Sequence, residues 1–131
     1  MTINLDDMVF VFGSNLSGIH GAGAAKYAHQ HKGAIYGIGK GPTGQSYALP
    51  TKGLKICYMP LIEIQDHVGD FLQYAHDNPD LNFQVTQVGC GLSGFSRDDI
   101  APMFEYAPEN CYFDRMWKNY LPSAAKFWGS M

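Results

Sequence analysis

Three glycine-rich stretches carry the main chemical signal of this sequence. They read GSNLSGIHGAG at 13–23, GIGKGPTG at 37–44 and GCGLSG at 89–94. A glycine loop lets the backbone approach a ligand closely, and the start of a following helix supplies free N–H groups and a partial positive charge. The first and third stretches precede predicted helices, so they favour the binding of an anion. A diphosphate is the anionic group that best fits two such loops. Glycines that only make turns are the alternative.

Four side chains in or near these loops could do further chemistry. The Asn15 amide could bond a sugar hydroxyl or orient a water molecule, although Asn is also a common turn residue. A desolvated Lys52 could act as a base, attack a sugar aldehyde to form an imine, or stabilise a departing anion as a cation. His20 could contact a sugar, or simply face solvent. Cys90 lies between two glycines with no histidine near it in sequence, which argues against a nucleophile.

Two familiar nucleotide-binding motifs match only in part. The segment 89–94 fits GxGxxG, and Asp114 follows it by twenty residues. However, only 37 residues follow Gly94, whereas the dinucleotide-binding fold has this motif in its opening strand–helix–strand unit. The segment 13–18 has the spacing that begins a P-loop, but Ile19 and His20 stand where Lys and Ser or Thr are required. Neither motif is therefore assigned.

The composition indicates one globular domain over residues 1–131, since 46% of the residues are apolar and 16% are charged. A net charge of −3 argues against a surface built for long duplex DNA. The three cysteines are odd in number and widely spaced, which suggests buried thiols of a reducing compartment. The histidines show no metal-ligand spacing, so neither a metal nor another cofactor is expected.

The sequence also predicts no membrane contact. The first twelve residues lack a basic region, and no apolar run approaches the ~18 residues of a membrane span. We therefore expect a cytoplasmic protein.

Strands and helices alternate along the chain. Strands are predicted at 8–12, 46–50, 54–59, 83–88 and 110–113, and helices at 24–31, 61–76 and 100–106, the last opened by a Ser96–Asp99 capping box. This order predicts the α/β class, as a three-layer α/β/α domain with a mixed, largely parallel central sheet. The aromatic tail has no predicted element, and we interpret it as a packing or self-association surface.

Three blocks of the sequence resemble macro domains. VTQVGCGLSGFSRDDIAPMF at 85–104 is similar to their diphosphate loop and following helix, and NLSGIHGAGAAKYA at 15–28 to their other ligand loop. Within the family, the likeness is closest to DNA ADP-ribosyl glycohydrolase antitoxins of the DarG type, which have an Asn six residues before the GxG and a later PTK motif, here residues 50–52. Short macro-like proteins of bacteria and phages are similar too. Ser93 stands where a second Gly is usual, and the residues after Lys52 depart from the antitoxin pattern.

The resemblance implies a crevice for ADP-ribose, or a derivative of it, between the loops at 13–23 and 89–95. Asn15 would position the distal ribose and Lys52 would act at its anomeric carbon. The ligand-binding residues would be Gly13, Ser14, His20, Gly21, Ala22, Gly23, Gly89, Cys90, Gly91, Leu92, Ser93, Gly94 and Phe95. Asp6 and Asp7 are candidates for the acidic residue at the adenine position, and Tyr47 or Phe95 could stack on a ring of the ligand.

The implied activity is hydrolysis of the glycosidic link between ADP-ribose and an acceptor, on ADP-ribosylated nucleic acid or protein. Catalysis of this kind would come mainly from orientation and electrostatic stabilisation. A second hypothesis is a module that binds or sequesters a free ADP-ribose-derived nucleotide without turnover. A third is an interaction protein whose glycine loops are only turns.

Overall fold

The computed structural model describes residues 4–131 as one six-stranded sheet with helices on both faces. The strands are β1 (Val9–Asn15), β2 (Gly41–Thr43), β3 (Ser46–Lys52), β4 (Phe83–Val85), β5 (Cys111–Asp114) and β6 (Lys126–Gly129), and the helices are α1 (Gly23–His31), α2 (Leu61–Asp77) and α3 (Arg97–Ile100). The strand order is β2-β3-β1-β4-β5-β6, and only β2 runs antiparallel to its neighbour. The predicted α/β class and the mixed, largely parallel sheet are confirmed.

The central strand β1 separates two apolar layers because successive side chains of a strand point to opposite faces. Phe10 and Phe12 pack with Ala25 and Ala28 of α1 on one face. Val11 belongs to the larger cluster on the other face, which also contains the buried side of α2. The MVFVF run is therefore apolar throughout because β1 is covered on both faces.

After β1, the chain first forms the strands on one side of β1 and then the strands on its other side. From β1 it passes through α1 and β2 to β3, and then through α2 to β4, which lies against the opposite edge of β1. The loops after β1 and β4 therefore diverge from adjacent strands at the carboxyl edge of the sheet. In open α/β sheets, such a switch point leaves a crevice where ligands bind.

The middle glycine-rich stretch supports the first loop from behind. Ser14 Oγ donates to the carbonyl of Gly39, and Gly37 N donates to Gly18 O over 2.9 Å. A Cβ added to the buried Gly39 would lie 2.0 Å from the carbonyl oxygen of Asn15. This segment lies against β1 as a backing for the loop, and its glycines permit that close approach.

The predicted strand at 54–59 is wrong. Leu54–Ile56 forms a 3-10 turn, and only Tyr58 makes an isolated antiparallel bridge, to Lys52. The side chains at 54–58 are all exposed, so the segment has no buried face that would hold it in a sheet. The partial alternation of LKICYM therefore does not reflect strand pairing.

The helix predicted at 100–106 is also misplaced. The capping box is present, with Ser96 N donating to the Asp99 carboxylate over 3.1 Å, but α3 spans only 97–100 before a 3-10 segment at 101–104. Pro102 has no N–H to continue the α-helical bonding, which explains the early end. In the same region, β4 stops at Val85, because Val88 N turns back to Thr86 O over 2.7 Å.

The aromatic tail completes the sheet. β6 pairs in parallel with β5, Trp117 is fully buried, and Trp128 donates its indole N–H to Val85 O over 2.9 Å. The predicted packing role of these aromatic residues is consistent with these contacts. Among residues 4–131, none of the helices has both the length and the apolar character that a membrane crossing requires.

Candidate functional site

A cleft of about 760 Å³ lies at the carboxyl edge of the sheet. Its walls are the ends of β1, β3 and β5, the start of α1, and the loops that follow β3 and β4. The predicted site residues that line it are Gly13, Ser14, Asn15, Gly21, Ala22, Gly23, Lys52, Gly89, Cys90, Gly91, Leu92 and Ser93. The structure thus brings the two predicted glycine loops together in one cleft.

Free backbone N–H groups reach this cleft from two directions. α1 begins at Gly23 without a side-chain cap, its first turn has no acidic residue, and its intrahelical bonds begin with Lys26 N to Ala22 O. The first three N–H groups of the helix therefore have no backbone acceptor. Opposite them, within the described chain, the N–H groups of residues 91–93 donate to no protein acceptor either. Six donors and the positive end of a helix dipole thus belong to residues that line one cleft.

Ser93 holds the glycine-rich loop at 89–94 against β3. Its Oγ lies 2.9 Å from Thr51 Oγ1 and 3.3 Å from the carbonyl oxygen of Thr51, to which it donates. Beneath this contact, a Cβ on Gly13 would lie 3.2 Å from Thr51 Oγ1, so the floor of the cleft is tightly packed. The serine that departs from the macro-domain pattern therefore has a structural role that glycine could not fill.

The Asn15 side chain organises the first loop. Its Oδ1 accepts from Ile19 N over 3.0 Å, and its Nδ2 donates to Ile19 O over 2.8 Å. Asn15 is only 7% exposed, so these bonds fix the amide in place. One amide hydrogen is left for a ligand, which limits the sugar-binding role expected from the sequence.

Lys52 lies beside Asn15 at the end of β3. The two residues are register partners across the parallel β1–β3 pair, and Lys52 is half-buried. Among residues 4–131, no carboxylate forms an ion pair with it. Within the described chain, the Lys52 amine therefore has free hydrogen-bond donors at the β3 end of the cleft.

The opposite end of the cleft contains a buried carboxylate. Asp114 is fully buried and accepts hydrogen bonds from Met116 N (2.9 Å), Gln87 Nε2 (3.3 Å) and Met131 N (3.2 Å). The Gln87 amide is oriented in turn by Arg97, whose Nε donates to Gln87 Oε1 over 2.9 Å. Such pairing is what allows a carboxylate to be buried without a large penalty. The network supplies both donors and acceptors at the β5 end.

Three predicted ligand residues do not line the cleft. His20 is fully buried, stands edge-on to Phe12, and bonds through Nε2 to Ile35 O over 3.0 Å, so it cannot contact a sugar as expected. Gly94 closes a turn with its N–H on Gly91 O. Phe95 packs against the core and Tyr58. His20 and Phe95 are thus held by packing within the fold, and Gly94 by a turn within its own loop.

The predicted adenine contacts also lie elsewhere. Asp6 and Asp7 occupy a 3-10 turn before β1, at the opposite edge of the sheet from the cleft. Tyr47 is 4% exposed and packs against Phe71 and Tyr74, and burial, with a smaller effect of Asp70, raises its pKa to about 12. None of these three residues lines the cleft, and the carboxylate that lines it is Asp114.

Cys90 lies in the cleft but is a poor nucleophile. Burial raises the pKa of its thiol to about 11, and burial raises that of Cys111 to about 12. At pH 8 the thiolate fraction of Cys90 is then about one in a thousand. We expect iodoacetamide at pH 8 to label the exposed Cys57 alone in the folded protein, and all three cysteines after denaturation. Labelling of Cys90 as fast as Cys57 would contradict this assignment.

Several lining residues carry no predicted role. They are Ile19, Ala24, Ala25, Thr51, Ile56, Thr86, Gln87, Val88, Arg97, Asp114 and Met131. The sequence contains a signal for two of them, since Asp114 lies at the end of a strand and Arg97 follows the residue that caps a helix. Ile19, Ile56 and Met131 carry no comparable signal, because an apolar side chain in a loop does not by itself indicate a ligand contact.

The cleft therefore combines a donor-rich middle, a lysine at one end and an amide–carboxylate network at the other. Comparison of the chain with protein-family models, with curated proteins and with solved structures finds no match.

Proposed function

We propose that this protein binds the ADP-ribose moiety in the cleft and hydrolyses its glycosidic link to an acceptor. The observation that carries the proposal is a set of backbone N–H groups that have no acceptor among residues 4–131, at the start of α1 and at residues 91–93, on two walls of one cleft. Free N–H groups with a helix dipole behind them favour phosphate oxygens. A diphosphate between these walls satisfies donors on both sides.

The two ends of the cleft suit the two ends of this ligand. Lys52 ends β3 and Asp114 ends β5, and three strand spacings separate these strands, roughly 14 Å. An extended dinucleotide-like molecule spans that distance, and the cleft volume of about 760 Å³ is within the range of small-ligand sites. The distal ribose lies beside Lys52, and the adenosine extends toward Gln87, Arg97 and Asp114.

The reaction follows from the position of Lys52. Water adds to the anomeric carbon of the distal ribose, the bond to the acceptor breaks, and the acceptor leaves with the bonding electron pair and takes up the proton that the water loses. The Lys52 ammonium stabilises the negative charge that develops on the acceptor, and a fixed cation in a half-buried cleft does this with little reorganisation. The diphosphate contacts hold the sugar in position during this step.

A binding module without turnover is the second candidate, and the Asn15 geometry favours it. Both ends of that amide already bond to Ile19, so its remaining oxygen lone pair and amide hydrogen cannot turn freely to position an attacking water. Catalysis then depends on Lys52 alone. A protein that only sequesters the nucleotide needs the same diphosphate contacts and no general base.

Thermal denaturation with ADP-ribose, AMP and NAD tests the binding proposal. At 100 times the dissociation constant, a ligand stabilises the folded state by about 2.7 kcal/mol, which raises the midpoint of a domain this size by several degrees. We expect the largest shift with ADP-ribose. No shift with any of the three compounds would refute the proposed cleft ligand.

Replacement of Lys52 by Ala separates the enzyme from the binding module. For an enzyme, we expect at least about a tenfold loss of ADP-ribose release from ADP-ribosylated DNA or protein, with ADP-ribose affinity largely kept. Lys40→Ala is the matched control, because Lys40 forms an exposed pair with Asp70 outside the cleft. If the wild type binds ADP-ribose tightly but releases none from either substrate, the module without turnover is correct.

A further inference from the structure

The loop after β3 contains two consecutive residues in the left-handed backbone region. Lys55 has φ 55° and Ile56 has φ 60°. Among the described residues these are the only non-glycine residues with positive φ. A β-branched residue such as Ile is especially unfavourable there, because its branched Cβ crowds the backbone. Strain of this kind persists only where surrounding contacts impose it, and it concentrates at functional sites.

Three hydrogen bonds impose this conformation. Lys55 N donates to Ser17 Oγ over 2.8 Å, which ties the turn to the loop between β1 and α1. Gly53 N donates to Cys57 O over 2.8 Å, and Cys57 N donates to Leu54 O over 3.1 Å. The turn is thus held from outside by one ligand loop and closed from inside by its own backbone.

The conformation places Ile56, and not Lys55, at the cleft. Ile56 lines the cleft and is still 44% exposed, so no part of the fold covers it. Because Tyr58 bridges back to Lys52, the turn reverses over the Lys52 end of the cleft. A strained backbone therefore holds an uncovered aliphatic side chain beside the proposed sugar position, where burial against a ligand compensates its exposure.

Ile19 and Leu92 reinforce this interpretation. Both are exposed aliphatic residues that line the cleft, and each comes from a different loop. Leu92 reaches toward the start of α1, since its Cδ1 would lie 3.6 Å from a Cβ on Gly23. Three loops thus present apolar side chains around a cleft whose walls offer backbone N–H donors.

We propose that Ile56 is a specificity-determining residue that packs against the distal ribose and so distinguishes ADP-ribose from nucleotides that end at the diphosphate. The inference rests on the proposed function, because that function places the distal ribose beside Lys52. ADP shares the adenosine and the diphosphate but has no sugar in this position. Contact with Ile56 therefore contributes to binding of ADP-ribose and not of ADP.

The test compares Ile56→Asn with the matched variant Lys55→Asn, by calorimetry with ADP-ribose and with ADP. Asn adopts the left-handed region more readily than either residue it replaces, so both variants should unfold at or above the wild-type temperature. We expect Ile56→Asn to weaken ADP-ribose binding at least fivefold and to change ADP binding less than twofold. Lys55→Asn should change neither affinity by more than twofold.

The outcomes distinguish failure of this inference from failure of the proposed function. If the wild type binds neither nucleotide, the proposed function is wrong and the inference falls with it. If the wild type binds ADP-ribose and Ile56→Asn binds it equally well, only the inference is overturned. Equal weakening of ADP-ribose and ADP with a lowered unfolding temperature would mean that the turn merely shapes the cleft, which also overturns it.

Discussion

Gly91→Val is expected to abolish the stabilisation by ADP-ribose without lowering the unfolding temperature of the free protein. Gly91 lines the cleft and belongs to the wall of free N–H groups at residues 91–93. Its φ is not positive, and a Cβ added to it would meet nothing within 4 Å. A valine side chain therefore fits the folded protein and would occupy space that the proposed diphosphate needs. We expect a loss of affinity of ~100-fold or more, equivalent to about 2.7 kcal/mol.

Calorimetric titration and thermal denaturation of the same samples measure both halves of this prediction. Gly69→Ala is a suitable control, because Gly69 is exposed on α2, and alanine favours a helix by about 0.5–1 kcal/mol over glycine. It should unfold slightly later and bind ADP-ribose normally. If Gly91→Val binds with wild-type affinity, the diphosphate does not lie between these walls.

Gly89→Ala shows why the position within the loop matters. Gly89 has φ 76°, and an added Cβ would lie 3.0 Å from Ile100 Cδ1. Any loss of binding in that variant would be mixed with strain and with a shift of the buried isoleucine. Gly91 avoids both effects, although the two glycines are equivalent in the sequence motif.

The fold could be predicted to the extent that it depends on local pattern. The apolar run of β1, the helical spacing of α2 and the capping box before α3 are all visible in the sequence and correct in kind. These features depend on burial periodicity and on hydrogen bonds between near neighbours. One error arises where a distant contact decides, at 54–59, where a bond from Lys55 N to Ser17 Oγ fixes a left-handed turn.

The side chains of the cleft were harder to predict for the same reason. Asn15 and His20 are both polar loop residues, and nothing local indicates that one lines the cleft while the other is buried against Phe12. The Asp114 network joins Gln87, Arg97 and Met131, which lie 10 to 27 residues apart along the chain in their hydrogen-bonded pairs. Only the parallel sheet brings their positions together.

The second large effect is expected in the glycine-rich segment at 37–44, which lies behind the loop after β1. Gly39→Ala is expected to destabilise the fold by about 3 kcal/mol or more, because the new methyl group cannot be accommodated without moving backbone. Its Cβ would lie 2.0 Å from the carbonyl oxygen of Asn15 and 2.9 Å from the carbonyl carbon of Leu16. Gly39 also accepts the hydrogen bond from Ser14 Oγ, so a displaced segment loses that contact.

Thermal denaturation of Gly39→Ala should show a midpoint about 10 °C or more below the wild type, since each kcal/mol is worth a few degrees in a domain this size. Gly21→Ala is the matched control from the loop after β1. The φ of Gly21 is not positive, and an added Cβ would lie 3.9 Å from the nearest atom, the Tyr36 hydroxyl. That variant should unfold close to the wild-type temperature. Equal midpoints for Gly39→Ala and the wild type would show that the segment at 37–44 can move away from Asn15 freely. The loop after β1 would then owe its shape to the Asn15–Ile19 bonds and to the bond between Ser17 and Lys55, without a rigid support behind it.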